Sequence, residues 1–195
     1  MSSQGNRPYR DQFRKGLQLI AESGERLAQA GIPRPVLVGG AATEFYSAGA
    51  ISTGDYDLVT PYQTEVEAAL MALGFERPRD GTRGLHHYEA NVGVEIVGSE
   101  LLDGSADPNR VLAVELVDGL IIYLIGLEDL IADRVGQYQM NESTMRDRLA
   151  QAIYLFNLLE EEVDLAYLER QLAAQTLGLN VAWLRNKADE ARQAE

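Results

Sequence analysis

Two stretches of this sequence, Val36-Leu-Val-Gly-Gly-Ala-Ala-Thr43 and Gly54-Asp-Tyr-Asp-Leu-Val59, decide which fold it can form. The first stretch is typical of a buried strand that passes through a glycine turn into a helix of small residues. The second is typical of a strand, and alternate strand residues share a face, so Asp55 and Asp57 are predicted to point the same way. The two stretches therefore predict a strand–turn–helix unit and a second strand with two carboxylates on one face.

The aspartate pair predicts a cation site. Two like charges at this spacing repel each other, and a bound cation removes that cost. Mg²⁺ prefers one or two carboxylates together with substrate phosphates. A solvated strand edge is the alternative interpretation of an Asp-x-Asp pair taken alone. With the glycine turn before it, the pair predicts Mg²⁺ bound by Asp55 and Asp57.

The glycine turn predicts phosphate binding. Gly39 and Gly40 lack side chains, so a phosphate can approach the backbone there, and the start of the following helix favours negative charge. Thr43 lies within that helix and is assigned with the two glycines to cofactor binding. Turn and aspartates together predict a site for a triphosphate and magnesium.

These residues resemble the nucleotidyltransferase superfamily that includes DNA polymerase beta. Its signature is Gly-Gly or Gly-Ser at the start of a helix, followed by an Asp-x-Asp strand. The resemblance is greatest to minimal bacterial members, including toxin-type enzymes of abortive-infection systems, and it covers about residues 36–156. It implies an α+β fold with a mixed or antiparallel sheet, flanking helices and a C-terminal helical region.

The resemblance also implies further site residues. A third carboxylate on a later strand corresponds to Glu95 in Val92-Gly-Val-Glu-Ile-Val97, which would join Asp55 and Asp57 as catalytic and metal-binding residues. Arg134 stands where a nucleotide-binding lysine is common. Arg146-Asp147 resembles the Arg-Asp pair of the next helix. This chain departs from the family in having Gly40 for a frequent serine and Glu95 for a frequent aspartate.

Composition limits the classes of partner. The net charge is −13, and residues 86–169 carry 17 acids against 4 bases, whereas residues 1–85 carry 10 acids and 9 bases. Extended nucleic-acid binding depends on basic residues that neutralise phosphates, so the acidic segment argues against it. A small nucleotide bound with Mg²⁺, or an acceptor held near the more basic N-terminal half, remains compatible with these charges.

Localisation follows from what the sequence lacks. No apolar run approaches the ~18 residues of a membrane span, and the polar N-terminus does not look like a signal peptide. The chain contains no cysteine, so disulfides and thiolate metal sites are excluded. We expect a cytoplasmic protein.

Periodicity predicts the arrangement of the chain. Residues 1–140 are predicted to form the nucleotidyltransferase-like domain and residues 141–195 a helical region. Two hairpins are expected, with turns at Asp80-Gly81 and Asp118-Gly119, because such dipeptides tolerate positive φ. In His86-His87 the two rings should face opposite sides of a strand, so a shared metal is not favoured. A role for one imidazole near the substrate is the better interpretation.

Two functions remain open. The leading hypothesis is an Mg²⁺-dependent enzyme that transfers a nucleoside monophosphate from a nucleoside triphosphate to an unidentified acceptor, such as tRNA, a protein or a small molecule. The alternative is a weak or inactive protein of the same fold that acts as a binding partner, as in a toxin–antitoxin pair. The acidic segment would then dock a basic partner protein through complementary charge.

Overall fold

The structure, a computed structural model, describes residues 9–79, 81–116 and 119–194. The chain forms two compact units. The first is drawn from Met1–Leu101 and Val111–Ile125, and the second from Leu102–Arg110 and Gly126–Glu195.

The first unit is a six-stranded sheet with three helices in its described part. Its helices are α1 (Asp11–Gln29), α2 (Gly39–Tyr46) and α3 (Gln63–Met71), and its strands are β1 (Val36–Val38), β2 (Asp55–Val59), β3 (Leu85–His87), β4 (Val92–Gly98), β5 (Leu112–Glu115) and β6 (Ile121–Leu124). The strand order is β3-β4-β2-β1-β6-β5. Both parallel and antiparallel pairs occur, so the predicted α+β fold with a mixed sheet is confirmed.

The core of this unit lies on the face of the sheet opposite the aspartates. Tyr56 and Leu58 of β2 are buried there. The Tyr56 ring stacks on Phe13 of α1 at 5.7 Å between centroids, and its hydroxyl donates to the Phe13 carbonyl at 3.0 Å. Gly16 gives the Tyr56 ring its space, because a Cβ at that position would overlap the ring. Burial raises the pKa of Tyr56. Tyr56 therefore ties β2 to α1 and leaves the carboxylates on the other side.

The second unit is helical. It contains α4 (Leu127–Met140), α5 (Arg146–Leu158), α6 (Leu165–Gln175) and α7 (Val181–Ala194), and short 3₁₀ turns at Leu101–Gly104 and Pro108–Arg110 precede β5. Asp164 caps α6 by accepting bonds from the Ala166 and Tyr167 backbone N–H groups. The helix α4 packs with α5 and α6. The predicted division into a nucleotidyltransferase-like domain of residues 1–140 and a helical region of residues 141–195 stays a prediction.

Both predicted hairpin turns include a residue outside the described ranges, Asp80 in one and Asp118 in the other. The strands β5 and β6 beside the second turn pair antiparallel, as predicted. Among the described residues, no helix combines the length and apolar character needed to cross a membrane.

Candidate active site

Three predicted acids lie on one face of the sheet. Asp55 is exposed, and Asp57 and Glu95 are half-buried. In the parallel pairing of β2 and β4, Asp57 is the partner of Glu95 and Asp55 is the partner of Gly93. Paired residues on neighbouring strands project to the same side. The register thus brings Asp57 and Glu95 side by side and sets Asp55 one row away.

Gly93 makes room for the Asp55 side chain. A Cβ on Gly93 would collide with Asp55 Oδ1, and it would lie 3.6 Å from His86 Nδ1. His86 is the partner of Gly93 on β3, so Asp55, Gly93 and His86 form one row across three strands. Gly93, which has no side chain, lies between the Asp55 carboxylate and the His86 imidazole.

Gly39 likewise leaves space for the Asp57 side chain. It has φ +64°, a conformation that L side chains rarely adopt, and a Cβ there would overlap the Asp57 carboxylate. Asp57 is also the β-sheet partner of Val38, the residue before Gly39. The turn that starts α2 therefore lies directly against one of the predicted metal ligands.

Gly40 has a different neighbour from the one the sequence suggested. A Cβ on Gly40 would collide with the Thr53 hydroxyl and lie 3.2 Å from Thr53 Cβ. The side-chain direction at Gly40 is thus filled by the protein itself. A packing contact already demands glycine here, whether or not a phosphate approaches the backbone.

A buried ion pair holds the loop that brings Thr53 to Gly40. Arg10 forms two hydrogen bonds of 2.9 Å with the Glu44 carboxylate, and Glu44 is 1% exposed. Glu44 also accepts a 2.6 Å bond from the Thr53 backbone N–H, and Arg10 donates to the Thr53 carbonyl. The hydrogen bond and charge of Glu44 raise the pKa of Arg10. We call Arg10, Glu44 and Thr53 the loop clamp.

The loop clamp cannot be predicted from a local sequence pattern. Arg10 and Glu44 are 34 residues apart, and no local pattern links them. The only sequence signal is an acid inside a helix of small, mostly apolar residues, where an unpaired carboxylate would be costly. That cost could have marked Glu44 as a residue with a buried partner.

Thr43 and Arg134 are both inside the protein. Thr43 is 0% exposed, and its hydroxyl donates to the Gly39 carbonyl at 3.1 Å. We therefore replace the assignment of Thr43 as a cofactor contact: its hydroxyl is used within α2, where it orders the glycine turn. Arg134 is 3% exposed and pairs with Asp133 at 2.6 Å in the second unit.

The donor set fits a metal ion that arrives with its substrate. In residues 9–79, 81–116 and 119–194, no three His, Asp or Glu side chains are grouped closely enough to hold a metal alone. Mg²⁺ binds one or two carboxylates and completes its shell with phosphate oxygens and water. Asp55 and Asp57, beside the Gly39 turn, fit that pattern of partial coordination.

Comparison with known proteins gives likenesses only at the level of structure. The sequence matches no family model and no curated protein. A nucleotidyltransferase-like antigenic protein from Paracoccidioides brasiliensis is 17% identical and aligns over 86% of this chain and 94% of its own, with a TM-score of 0.49.

Two structures of the antibiotic-resistance factor ANT(2'')-Ia are also similar. The solution structure is 16% identical and aligns over 93% of this chain and 98% of its own, with a TM-score of 0.52. The crystal structure with adenylyl-2''-tobramycin is 17% identical and aligns over 89% and 98%, with a TM-score of 0.51. These alignments include most of both chains, and they bear out the fold that the glycine turn and the Asp-x-Asp strand predict. The chain has the fold of the nucleotidyltransferases.

Proposed function

We propose that this protein transfers a nucleoside monophosphate from a nucleoside triphosphate to a hydroxyl group of an acceptor and releases pyrophosphate. One observation carries the proposal. Asp55, Asp57 and Glu95 share a face of the sheet, and the positive-φ turn at Gly39 lies against Asp57. Fold alone does not establish activity, so the proposal rests on this arrangement within the fold.

The nucleotide is proposed to lie with its phosphates at the Gly39–Gly40 turn. Backbone N–H groups at the start of α2 would bind phosphate oxygens, because their dipoles favour negative charge. Asp55 and Asp57 would hold Mg²⁺, and Glu95 would share a second ion. When bound, the metal would neutralise phosphate oxygens and make the α-phosphorus more electrophilic.

Glu95 is the residue proposed to act on the acceptor. Its carboxylate would take the proton of the acceptor hydroxyl while the acceptor oxygen bonds to the α-phosphorus. The bond from that phosphorus to the bridging oxygen breaks, and pyrophosphate leaves with the electron pair. The N–H groups at the start of α2 would offset the negative charge that develops on it.

The candidate acceptors fall into three classes. ANT(2'')-Ia is a resistance factor whose crystal structure contains adenylyl-2''-tobramycin, which supports including aminoglycosides among the candidates. tRNA and proteins are the other two classes to test. We propose a screen of labelled ATP, GTP, CTP and UTP with Mg²⁺ against these three acceptor classes.

The screen needs three variants to test the site as well as the activity. Asp57→Asn should lose both Mg²⁺-dependent nucleotide binding and transfer. Glu95→Gln should keep nucleotide binding and lose most transfer, because it removes a charge that acts on the acceptor. Asp11→Asn, at an exposed position in the first turn of α1, is the control and should behave as the unaltered protein. Full transfer by Glu95→Gln would remove Glu95 from the site.

The alternative is a non-catalytic protein that docks a basic partner. The excess acid of residues 86–169 favours it, because it would attract a basic surface. This alternative predicts no stabilisation by any Mg²⁺–triphosphate in thermal melts. Stabilisation that Asp57→Asn removes would contradict it.

A further inference from the structure

We propose that His86 and Tyr88 form the surface on which the base of the nucleotide stacks. The inference rests on the proposed function, and it assigns a base-binding role to a ring pair outside the carboxylate set. The His86 and Tyr88 ring centroids are 4.8 Å apart, with 59° between their planes. We call these two side chains the ring pair.

The ring pair lies beside the carboxylate face. His86 is the β-sheet partner of Gly93, and Gly93 is the partner of Asp55 on its other side. A Cβ on Gly93 would lie 3.6 Å from His86 Nδ1 and would collide with Asp55 Oδ1 on its other side. Only the bare surface of Gly93 therefore separates the imidazole from a proposed metal ligand.

Tyr88 is available for a ligand. Its side chain is 58% exposed, although it is a large aromatic residue. His86 is half-buried beside it. Aromatic rings bind nucleobases by stacking, which is largely independent of the base identity. The ring pair thus offers the type of surface that a base requires.

The ring pair lies within the length of a nucleotide from the Gly39 turn. Gly39 follows β1, and β1, β2, β4 and β3 are consecutive neighbours in the sheet. Three strand intervals of about 4.8 Å place β3 roughly 14 Å from β1. With its α-phosphate at Asp55 and Asp57, the nucleotide has the acceptor in the Asp57–Glu95 row, and its nucleoside lies over the neighbouring row, Asp55–Gly93–His86, which ends on β3. The base then arrives at the ring pair.

The neighbouring histidine provides an internal control. His87 faces the other side of β3, where its ring packs edge-on against Phe75 at 5.3 Å, and its Nδ1 accepts a 3.1 Å bond from the Ala90 N–H. The chain has only these two histidines. Their ring C–H signals in an NMR spectrum can therefore be assigned by a single substitution, His86→Gln.

The experiment compares two ligands in the presence of Mg²⁺. One is α,β-methylene-ATP, which cannot be cleaved between its α and β phosphates, and the other is inorganic tripolyphosphate, which has no sugar or base. We expect the ATP analogue to shift the His86 ring signals further than tripolyphosphate does, because both ligands bring phosphate and Mg²⁺ to Asp55 but only the analogue places a base against the ring. The His87 signals should respond to neither ligand.

A pair of tyrosine variants measures the contribution of stacking. Tyr88→Ala should weaken binding of α,β-methylene-ATP on the order of 10-fold, and it should leave tripolyphosphate binding unchanged. Tyr62→Ala is the matched control, because Tyr62 is also an exposed tyrosine, at 38%, and precedes α3 beyond the other end of β2. It should bind both ligands as the unaltered protein does.

The possible results separate this inference from the proposed function. If the ATP analogue binds but leaves His86 unmoved and Tyr88→Ala silent, the ring pair is not the base site and the proposed function stands. Equal shifts of His86 with both ligands would also overturn the base assignment. If neither ligand binds, the proposed function fails and this inference fails with it.

Discussion

Asp55 on β2 is exposed to solvent, whereas Asp129 on α4 is 1% exposed and accepts a 2.9 Å hydrogen bond from the Tyr167 hydroxyl. The two carboxylates belong to different units of the chain. On β2 and β4 of the first unit, three acids lie on an accessible sheet face. In the second unit, Glu128 and Asp129 are buried in a network with fixed partners.

The buried network is a structural device of the second unit. Glu128 accepts a 2.8 Å bond from the Asp164 backbone N–H and lies 3.5 Å from Arg110. The Tyr167 hydroxyl also accepts a bond of 2.9 Å from the Asp107 backbone N–H. These bonds join the turn before β5 to α4 and α6, which are otherwise far apart in sequence.

Burial and hydrogen-bond partners distinguish the acids that could bind an ion from those that stabilise the fold. Burial costs a carboxylate its hydration, so a buried one persists where hydrogen bonds replace the water. The Glu128–Asp129 network meets that condition. The carboxylates of β2 and β4 keep access to solvent, which leaves coordination positions for an ion and its phosphates. Four experiments test this contrast.

The largest expected effect is on the open carboxylates. Asp57→Asn should lower the Mg²⁺-dependent affinity for α,β-methylene-ATP at least about 100-fold, since even indirect partners of metal ligands are worth 10- to 100-fold. The free energy of unfolding without nucleotide should hold or rise, because one of two like charges is removed. Calorimetric titration and thermal melts measure the two quantities. Unchanged affinity would make Asp57 a solvated strand residue.

The loop clamp is the next most sensitive element. Glu44→Ala leaves Arg10 without its carboxylate and the Thr53 N–H without its acceptor, so the free energy of unfolding should fall by about 3 kcal/mol. Glu25→Ala is the control, because Glu25 pairs with Arg34 at 2.5 Å but is 44% exposed, and it should lose less than about 1 kcal/mol. Urea unfolding gives both values, and equal losses would contradict a special role for the loop clamp.

The buried network should respond to pH in a specific direction. Burial is the main cause that raises the pKa of Asp129 from 3.8 to about 6, against the lowering effects of the Tyr167 hydrogen bond and the Arg110 charge. The stability that Asp129 contributes is complete below about pH 4, where it is protonated in both states, and is lost as pH rises through 6. Asp129→Asn stays neutral at every pH and can still accept the bond from Tyr167.

The measurement for Asp129 is a difference between two pH values. Relative to the unaltered protein, the free energy of unfolding of Asp129→Asn should rise by about 2 kcal/mol between pH 4 and pH 7. The charged groups that face Asp129 are Glu128, Asp107 and Arg110, and all three are present in both proteins. A difference that does not change with pH would contradict the burial argument.

The smallest effect is expected at the cap of α6. Asp164→Ala removes the acceptor of the Ala166 and Tyr167 N–H groups and should cost about 1 kcal/mol in unfolding free energy. Asp164→Asn keeps a capping oxygen and should recover most of that loss. A large loss in both variants would show that the ion pair with Arg110, at 2.5 Å, matters more than the cap.

Much of the first unit could be predicted from local sequence. The strand Val36–Val38 lies where the apolar run predicts it, and Asp55 and Asp57 share a face because strands alternate with a period of two. The start of the helix at the glycine pair is also a local property, since a positive φ at Gly39 favours a residue without a side chain. These features depend only on residues within a few positions of each other.

The partners across the sheet and in the buried contacts depend on the tertiary structure. Glu95 stands beside Asp57 because β2 and β4 pair in one particular register, and a shift by one residue would move Glu95 to the other face. The position of Thr43 beside the glycine turn predicts a cofactor contact, but the sequence does not reveal that its side chain is buried. The loop clamp and the Asp129–Tyr167 bond join residues more than 30 positions apart. Sequence periodicity determined that Asp55 and Asp57 share a face, because strand side chains alternate. Only the pairing of β2 with β4 decided that Glu95 joins them, and only long-range packing decided which acids are buried and which stay open to solvent.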